Sequence, residues 1–207
     1  MNTRISQLSG HAPLETARAR SVHPSLTGFT LVEVLVSIGI FTVLTGVVLS
    51  NYRGYNTNAL FANASEDIVL ALRQAQVYGV GVKGTGTSFT TPYGVHFNSA
   101  NPNQIIIFAD IYPSAVPPLI PGDGIYTSGN DTQIETIDWG EVVSSMVLTC
   151  DGVSCGGNTA NVTFRRPNPD AMIYDSSASH NSLEVEITNN VKTSRIIISS
   201  TGQISLQ

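Results

Sequence analysis

The feature that most constrains this chain is an apolar run close to its N-terminus. From Phe29 to Leu49 the sequence has roughly 21 residues, among which Glu33 is the only one with a charged side chain. A helix rises about 1.5 Å per residue, so this run would extend about 32 Å and match the hydrocarbon core of a bilayer. The sequence therefore predicts a single transmembrane helix over residues 29–50.

The segment before the apolar run predicts the orientation of that helix. Residues 1–28 contain three arginines and one glutamate. Positive charge on one flank of a membrane span favours a cytoplasmic location for that flank. We therefore expect the leader to stay in the cytoplasm and the chain after Arg53 to be exported.

A conventional secretory signal is the alternative explanation of this N-terminus. Such signals have an apolar region of about 7–15 residues with a small-x-small cleavage site directly after it. Ala62-Asn63-Ala64 has the small-x-small pattern, but Tyr52 and Arg53 lie between it and an apolar run that is too long. The sequence therefore disfavours cleavage near Ala64.

The residues around the start of the apolar run resemble a known motif. Gly28-Phe29-Thr30-Leu31-Val32-Glu33 follows a short basic leader and opens a hydrophobic helix, and it is similar to the cleavage and methylation motif of type IV prepilins and pseudopilins. The resemblance implies that a prepilin peptidase cuts between Gly28 and Phe29 and then N-methylates the Phe29 amine. It also implies a pilin-like α+β fold, in which a long N-terminal helix packs on antiparallel β-sheet.

Glu33 has a physical reason to be retained inside the apolar segment. An unpaired charge in a bilayer costs about 2.5–3.5 kcal/mol or more, and a buried carboxylate needs a cationic partner. In the family that the motif resembles, this acid pairs with the terminal amine of a neighbouring subunit. The resemblance thus implies a filament-assembly role for Glu33.

Beyond the membrane segment the pattern predicts an amphipathic helix and then a β-rich domain. Apolar residues recur every three or four positions at Leu60, Ala64, Ile68, Ala71 or Leu72, Ala75 and Tyr78, which is the periodicity of a helix packed on a domain. We assign this helix to residues 51–86, with its end in the glycine-rich stretch 79–86, and the β-rich domain to residues 87–207. Predicted strands are Tyr93–Phe97, Gln104–Asp110, Thr136–Trp139, Ser145–Cys150, Asn161–Arg165, Leu183–Thr188, Ser194–Ser199 and Gln203–Leu206.

Several short segments narrow the resemblance within the pilin superfamily. The helical segment 71–76, the strand segment Tyr93-Gly94-Val95-His96-Phe97 and the pair of segments 194–198 and 201–204 are similar to those of H-type minor pseudopilins and FimT-like minor pilins. Each match is weak by itself, but together with the N-terminus they extend over nearly the whole chain after Gly28.

Two cysteines enclose a four-residue loop. Cys150 and Cys155 are the only cysteines of the chain. An exported domain meets an oxidising compartment, where such pairs form disulfides. The sequence therefore predicts a Cys150–Cys155 bond, and two cysteines without nearby histidines leave too few ligands for structural zinc.

Other chemical signals in the sequence are weak. Gly79-Val80-Gly81-Val82-Lys83-Gly84 fits G-x-G-x-x-G, but it follows a predicted helix, whereas a dinucleotide site needs it between a strand and a helix. Asp110, Asp123 and Asp131 could offer oxygen atoms to Ca²⁺, although a solvated loop explains them as well. No catalytic residues and no cofactor are predicted.

Composition and resemblance together define three candidate functions. The first is a minor pseudopilin of type II secretion, anchored in the bacterial inner membrane with its domain in the periplasm; its partners would be the prepilin peptidase, other major and minor pseudopilins, the inner-membrane assembly platform and secreted cargo. The second is a FimT-like minor type IV pilin in pilus biogenesis or DNA uptake, which a net charge of -5 disfavours because DNA binding requires clustered basic side chains. The third is a membrane-tethered enzyme or sugar-binding domain.

Overall fold

The structure is a computed structural model that describes residues 28–81, 83, 90–113 and 122–207, with the side chains of 51–55 left out. The predicted leader, residues 1–28, lies outside this description except for Gly28. The chain forms two compact units, Met1–Val47 and Val48–Gln207. The coarse prediction of an α+β chain with one apolar N-terminal helix and antiparallel sheet is confirmed.

A single long helix opens the described chain. This helix, α1, comprises Leu31–Val80. Its segment Leu31–Ser50 has a mean hydropathy of 2.3 and no buried residues, so by length and composition it is able to cross a membrane. The helix is continuous across the boundary between the predicted segments 29–50 and 51–86. Gly54 and Asn56, although weak helix formers, lie within α1.

The second part of α1 packs on the β-rich unit through one face. Ala64, Ile68, Ala71, Leu72 and Ala75 are buried, as the periodicity predicts. At the start of this face the prediction is wrong by one position: Leu60 is 43% exposed, whereas the next residue, Phe61, is 3% exposed. The reason is geometric, since residue 61 lies seven positions before Ile68 and on the same side of an α-helix, at about 100° per residue.

The end of α1 is fixed by close packing against a strand. A Cβ atom on Gly79 would collide with the backbone carbonyl of Phe164. Only glycine permits this approach of helix to strand. The predicted termination in the stretch 79–86 is confirmed, since α1 ends at Val80. Glycine is needed at residue 79 for this close packing as well as for local flexibility.

Eleven strands follow within the described residues. They are β1 Tyr93–Asn98, β2 Gln104–Ala109, β3 Thr132–Asp138, β4 Ser145–Cys150, β5 Val153–Ser154, β6 Thr159–Phe164, β7 Ala171–Tyr174, β8 Ser179–His180, β9 Ser182–Thr188, β10 Thr193–Ser199 and β11 Ile204–Leu206. All eight predicted strands have counterparts here, and β4 matches residue for residue. The predicted strand at Thr136–Trp139 begins four residues earlier, at Thr132, and excludes Trp139. The sequence analysis missed β5, β7 and β8.

The strands form two antiparallel sheets. The first has the order β3-β2-β1-β6-β7-β8, and the second has the order β11-β10-β9-β4-β5. Alternate residues of both sheets join the buried face of α1 in one hydrophobic core, for example Val95 and Val162 from the first sheet and Val185 and Ile196 from the second. The core is therefore shared between the helix and two sheets.

The second part of α1 lies between one edge of each sheet. On one side, Asp67 accepts a hydrogen bond from Nε1 of Trp139 at 3.0 Å, directly after the edge strand β3. On the other side, the Gln76 amide donates to the carbonyl of Gly202 at 3.2 Å, directly before the edge strand β11. These hydrogen bonds attach the second part of α1 to a residue next to one edge strand of each sheet.

Two hairpin connections join the last three strands. Asn189 and Asn190 lie between β9 and β10, where the Asn189 amide bonds to the carbonyl of Lys192 at 3.1 Å. Thr201 and Gly202 lie between β10 and β11. The register of β9 with β10 pairs Glu186 with Arg195, whose side chains form an ion pair of 2.7 Å on the exposed face.

Candidate functional sites

The residues of the N-terminal motif occupy the start of α1. Gly28, Phe29 and Thr30 precede the helix, are exposed and are not helical. The hydroxyl of Thr30 accepts a hydrogen bond from the Glu33 amide at 3.2 Å, so Thr30 caps the helix. The bond between Gly28 and Phe29 thus lies in exposed, non-helical chain ahead of α1, which begins at Leu31.

Glu33 lies in the first helical turn and is exposed. Negative charge at a helix N-terminus is favourable because the first amides point outward and carry partial positive charge. Thr30 and Glu33 also have the spacing of a capping box. This local signal, Thr-x-x-Glu before an apolar run, predicts the helix start from sequence, and the sequence analysis did not use it.

The predicted disulfide is present. The sulfur atoms of Cys150 and Cys155 are 2.01 Å apart, and both residues are buried at the short β4–β5 hairpin. Closing so small a loop stabilises the fold by about 2 kcal/mol in the chain-entropy estimate. The bond ties the edge strand β5 to the sheet and has a structural role.

A cluster of polar side chains next to the disulfide was missed by the sequence analysis. His180 lies between two carboxylates: its Nδ1 is 3.2 Å from Asp151 and its Nε2 is 3.1 Å from Asp175. Asp151 also accepts hydrogen bonds from the amides of Asn181 and Ser182. Asp175 and His180 are only five residues apart, but Asp151 lies 29 positions before His180, so no local spacing could have revealed the whole cluster.

Asp175 is the most constrained carboxylate of this cluster. It is 4% exposed and accepts hydrogen bonds from the amides of Gly156, Ser177 and Ala178 at 2.6–2.7 Å. Burial alone would raise the pKa of the Asp175 carboxyl, but these bonds outweigh it and hold the pKa well below its usual range. Asp175 is therefore an ionised anchor for the loops around the disulfide.

The same cluster contains the one grouping of potential metal ligands found among the described residues. Ligand atoms of Cys150, Asp175 and His180 lie within 4.8 Å of one another. The sulfur of Cys150 is bound to Cys155, so it offers no thiolate. With the disulfide formed, the grouping reduces to one histidine and one aspartate that already has four hydrogen-bond donors from other residues.

The three aspartates considered for calcium hold the backbone of one surface loop. Asp131 accepts hydrogen bonds from the amides of Ile111, Tyr112 and Thr127 at 2.7–2.9 Å. Asp110 accepts one from Gly124 at 2.7 Å. Asp123 accepts one from Ile125 at 2.9 Å. Their ligand atoms do not form a group within 4.8 Å in the described chain, and calcium binding there stays a prediction.

Asp110 is fully buried beneath this loop. Burial raises the pKa of Asp110, the hydrogen bond from Gly124 opposes it and the charges of Asp131 and Asp123 add to it, with a net pKa of about 7. Among the described residues its Oδ1 has no hydrogen-bond partner. Gly122 has φ +93 and passes so close that a Cβ atom there would meet the Asp110 carboxylate, so the loop can lie over this group only with glycine at that position.

The glycine-rich segment 79–84 follows α1 and precedes β1. A phosphate-binding loop requires the reverse order, with a strand before the glycines and a helix after them. The described part of the segment therefore supports the interpretation as a helix exit.

Comparison of the chain with protein-family models, with curated proteins and with solved structures found no match.

Proposed function

We propose that this chain is a minor pilin-like subunit, processed by a prepilin peptidase and assembled from the bacterial inner membrane into a filament. The observation that carries the proposal is the N-terminal constellation. An exposed Gly28–Phe29 bond precedes an apolar helix of membrane-spanning length, and the only charged side chain of that span, Glu33, lies in its first turn. A plain membrane anchor has no need of an acid at this depth, because the charge only adds to the cost of insertion.

The proposed mechanism pairs two opposite charges, the carboxylate of Glu33 and the amine that cleavage would free at Phe29. Cutting after Gly28 frees the amine of Phe29, four residues from Glu33 in sequence. The carboxylate of one subunit pairs with the terminal amine of its neighbour, which neutralises both charges and fixes the axial register of adjacent helices. The exposed apolar side chains of Leu31–Ser50 then pack against those of other subunits as each helix leaves the lipid.

We place the subunit first in a type II secretion pseudopilus, with its β-rich unit in the periplasm, where it contacts other subunits and cargo. The alternative of DNA uptake requires basic side chains free to contact phosphate. Arg195 is engaged by Glu184 at 3.4 Å and by Glu186 at 2.7 Å on the exposed face of the second sheet. This pairing lowers the positive potential of that face and disfavours DNA as the ligand.

The processing step is tested by Gly28→Leu in the full chain, co-expressed with a prepilin peptidase. A Cβ at residue 28 would meet nothing within 4 Å, so the substitution leaves the described structure undisturbed. We expect the wild-type chain to yield an N-terminal peptide beginning at N-methylated Phe29 by mass spectrometry. The variant should keep its leader, because leucine does not fit the site that accepts glycine.

Gly39→Leu is the matched control, since a Cβ at Gly39 also meets nothing within 4 Å. This variant should be processed like the wild type. A wild-type chain that keeps its leader, or one that ends near Ala64, would contradict the proposed processing.

The assembly step is tested by Glu33→Val, with Glu66→Val as the control for removing an exposed helical glutamate. We expect Glu33→Val to insert in the membrane normally but to enter filaments at least about tenfold less, because one uncompensated amine per contact costs more than 1.4 kcal/mol. Quantitative immunoblotting of sheared filaments and of membranes measures both. Equal incorporation of the two variants would refute the role of Glu33.

A further inference from the structure

A polar hollow lies on the outer face of the first sheet, the face that points away from the shared core. Its volume is ≈ 290 Å³. Its lining comes from β1, from β2, from the turn between them and from the loop 122–131: His96, Asn98, Asn101, Gln104, Ile106, Tyr126 and Ser128. All of these residues belong to the Val48–Gln207 unit.

One wall of the hollow is an aromatic side chain held in place from two sides. The ring centroid of Tyr126 lies 5.0 Å from that of His96 and 5.2 Å from that of Phe108. The amide of Tyr126 donates to Oδ1 of Asn161 at 3.2 Å. Because Asn161 is a buried residue of β6, the position of the Tyr126 ring is determined by the sheet as well as by its own loop.

The protonation state of His96 follows from the same hydrogen bonds. The Tyr126 amide can only donate, so the side-chain atom of Asn161 that it contacts is the oxygen. That oxygen lies 2.8 Å from Nδ1 of His96, so Nδ1 carries a proton and donates. Burial lowers the pKa of His96 against the opposing effect of this hydrogen bond, which favours the neutral ring with Nε2 as an acceptor.

The remaining polar atoms of the hollow are available to a ligand. No hydrogen bond from the side chains of Asn101, Gln104 or Ser128 occurs within the described parts of the chain. Asn98 uses its Oδ1 to accept from the amide of Ala100 at 2.9 Å, which leaves its NH₂ group. The lining thus combines amide donors, amide acceptors, a hydroxyl and an aromatic ring, and none of its members is an acid, a lysine or an arginine.

We propose that this hollow binds one residue of a neutral carbohydrate. Each sugar hydroxyl both donates and accepts hydrogen bonds, and amide side chains can do the same through their NH₂ group and their oxygen. The apolar face of a sugar ring packs on an aromatic ring such as Tyr126. A charged ligand would find no counter-ion in this lining, and an apolar ligand would leave its amides unpaired. The volume lies near the lower limit of about 300 Å³ for small-molecule sites and suits a single ring.

An adjoining hollow gives the site a direction. This second hollow has a volume of ≈ 330 Å³, shares Asn101 and Gln104 with the first and, unlike it, is lined by an acid, Asp138, whose charge opposes an acidic sugar. Asn101 and Gln104 would therefore contact a second sugar residue as well as the first. The proposal does not depend on membrane insertion or on filament assembly.

The test uses the full chain in phosphatidylcholine nanodiscs, which contain no sugar headgroups. The probes are glucose, N-acetylglucosamine and their β-1,4-linked trimers, with a uronic-acid trimer as the charged comparison. Saturation-transfer NMR and isothermal titration measure binding. We expect at least one neutral trimer to bind more tightly than its monomer, and we expect the uronic-acid trimer to bind more weakly.

The double variant Asn101→Ala/Gln104→Ala removes two side chains without internal hydrogen bonds, so it should fold normally. Losing two ligand hydrogen bonds of about 1 kcal/mol each lowers affinity about tenfold or more. Gln203→Ala, at an exposed turn, is the control and should bind like the wild type. Equal melting temperatures of the three proteins show that folding is unaffected.

Two outcomes would overturn the proposal. The first is that no neutral probe binds, even when its concentration is about 50-fold above a dissociation constant of about 1 mM. The second is binding that the double variant retains, which would place the sugar elsewhere on the protein.

Discussion

The two parts of the long helix are built from similar apolar residues but have opposite surroundings. In the first part, Leu35 and Ile40 are 62% and 57% exposed, and no residue of the Leu31–Ser50 span is buried. In the second part, Ile68 and Leu72 are completely buried in a core shared with two sheets. Burying a leucine or isoleucine side chain is worth about 1.5–3 kcal/mol.

This contrast shows which part of the chain has its partners within the described structure. The second part obtains its stability from contacts inside the Val48–Gln207 unit. Within the described residues the first part has no buried residue, and by length and composition it is able to cross a membrane. Hydrophobicity alone therefore does not distinguish a core helix from a membrane helix; the arrangement of polar residues around it does.

The largest expected effect comes from replacing one leucine by alanine in each part of the helix, which tests this contrast directly. Leu72→Ala should destabilise the β-rich unit by about 3 kcal/mol, because it opens a cavity in the shared core. Leu35→Ala should change the stability of that unit by less than about 0.5 kcal/mol. Denaturant unfolding in nanodiscs, followed by the fluorescence of Trp139, measures both. Equal effects of the two substitutions would show that the two parts share one core after all.

The next effect concerns the contribution of Asp175, close to the disulfide, to the stability of the β-rich unit. Asp175→Asn should destabilise the unit by about 2 kcal/mol at pH 7, because the introduced NH₂ group must face an amide that donates. Asp170→Asn, at an exposed aspartate without such bonds, is the control and should be neutral.

The pH dependence of this effect has a defined sign. The folded-state pKa of Asp175 is lowered, so its ionised form stabilises the fold at pH values above the unfolded pKa of about 3.9. This contribution is lost as the pH falls below that value through the folded pKa. The difference between wild type and Asp175→Asn should therefore shrink below about pH 4. A difference that stays constant down to pH 2 would contradict the assigned role.

The smallest effect has the opposite sign and comes from Asp110. Its pKa is raised to about 7, so the folded chain binds a proton more tightly than the unfolded chain between about pH 4 and pH 7. Wild-type stability should therefore fall across this range relative to Asp110→Asn, which cannot ionise. We expect the variant to gain about 1 kcal/mol relative to wild type between pH 5 and pH 6. Thermal melting at both pH values measures it, and an unchanged difference would contradict the raised pKa.

Much of the fold could be predicted because its signals are local. Strand β4 was identified at its observed bounds, and β9 and β10 were identified to within one residue of theirs. These elements have alternating apolar residues bounded by turn residues. Strand β7 was missed because it has only four residues between polar loops, and a run that short forms a strand only when neighbouring strands supply its hydrogen bonds.

The candidate sites differ in the same way, since those built from neighbouring residues were predicted and those built from distant segments were not. The Gly28–Glu33 motif and the Cys150–Cys155 pair are contiguous or nearly so, and sequence spacing revealed them. The His180 cluster joins Asp151 to the separate segment 175–180, and the hollow beside Tyr126 combines residues of β1, β2, the turn between them and the loop 122–131. Their chemistry depends on strand register, which pairs His96 with Asn161 across β1 and β6, and no spacing in the sequence encodes that pairing.

By itself, the sequence determined an apolar helix at the N-terminus with one acid in its first turn, a β-rich remainder and a disulfide loop, because periodicity and spacing act over a few residues. Only the tertiary structure decided that two sheets share a core with one face of the second part of that helix, that Asp110 is buried and Asp123 exposed, and that Asp151 and Asp175 flank His180. Burial and hydrogen bonding are set by residues distant in the chain, so the same aspartate side chain becomes a solvated loop residue, an ionised anchor or a carboxyl with a raised pKa according to what folds against it.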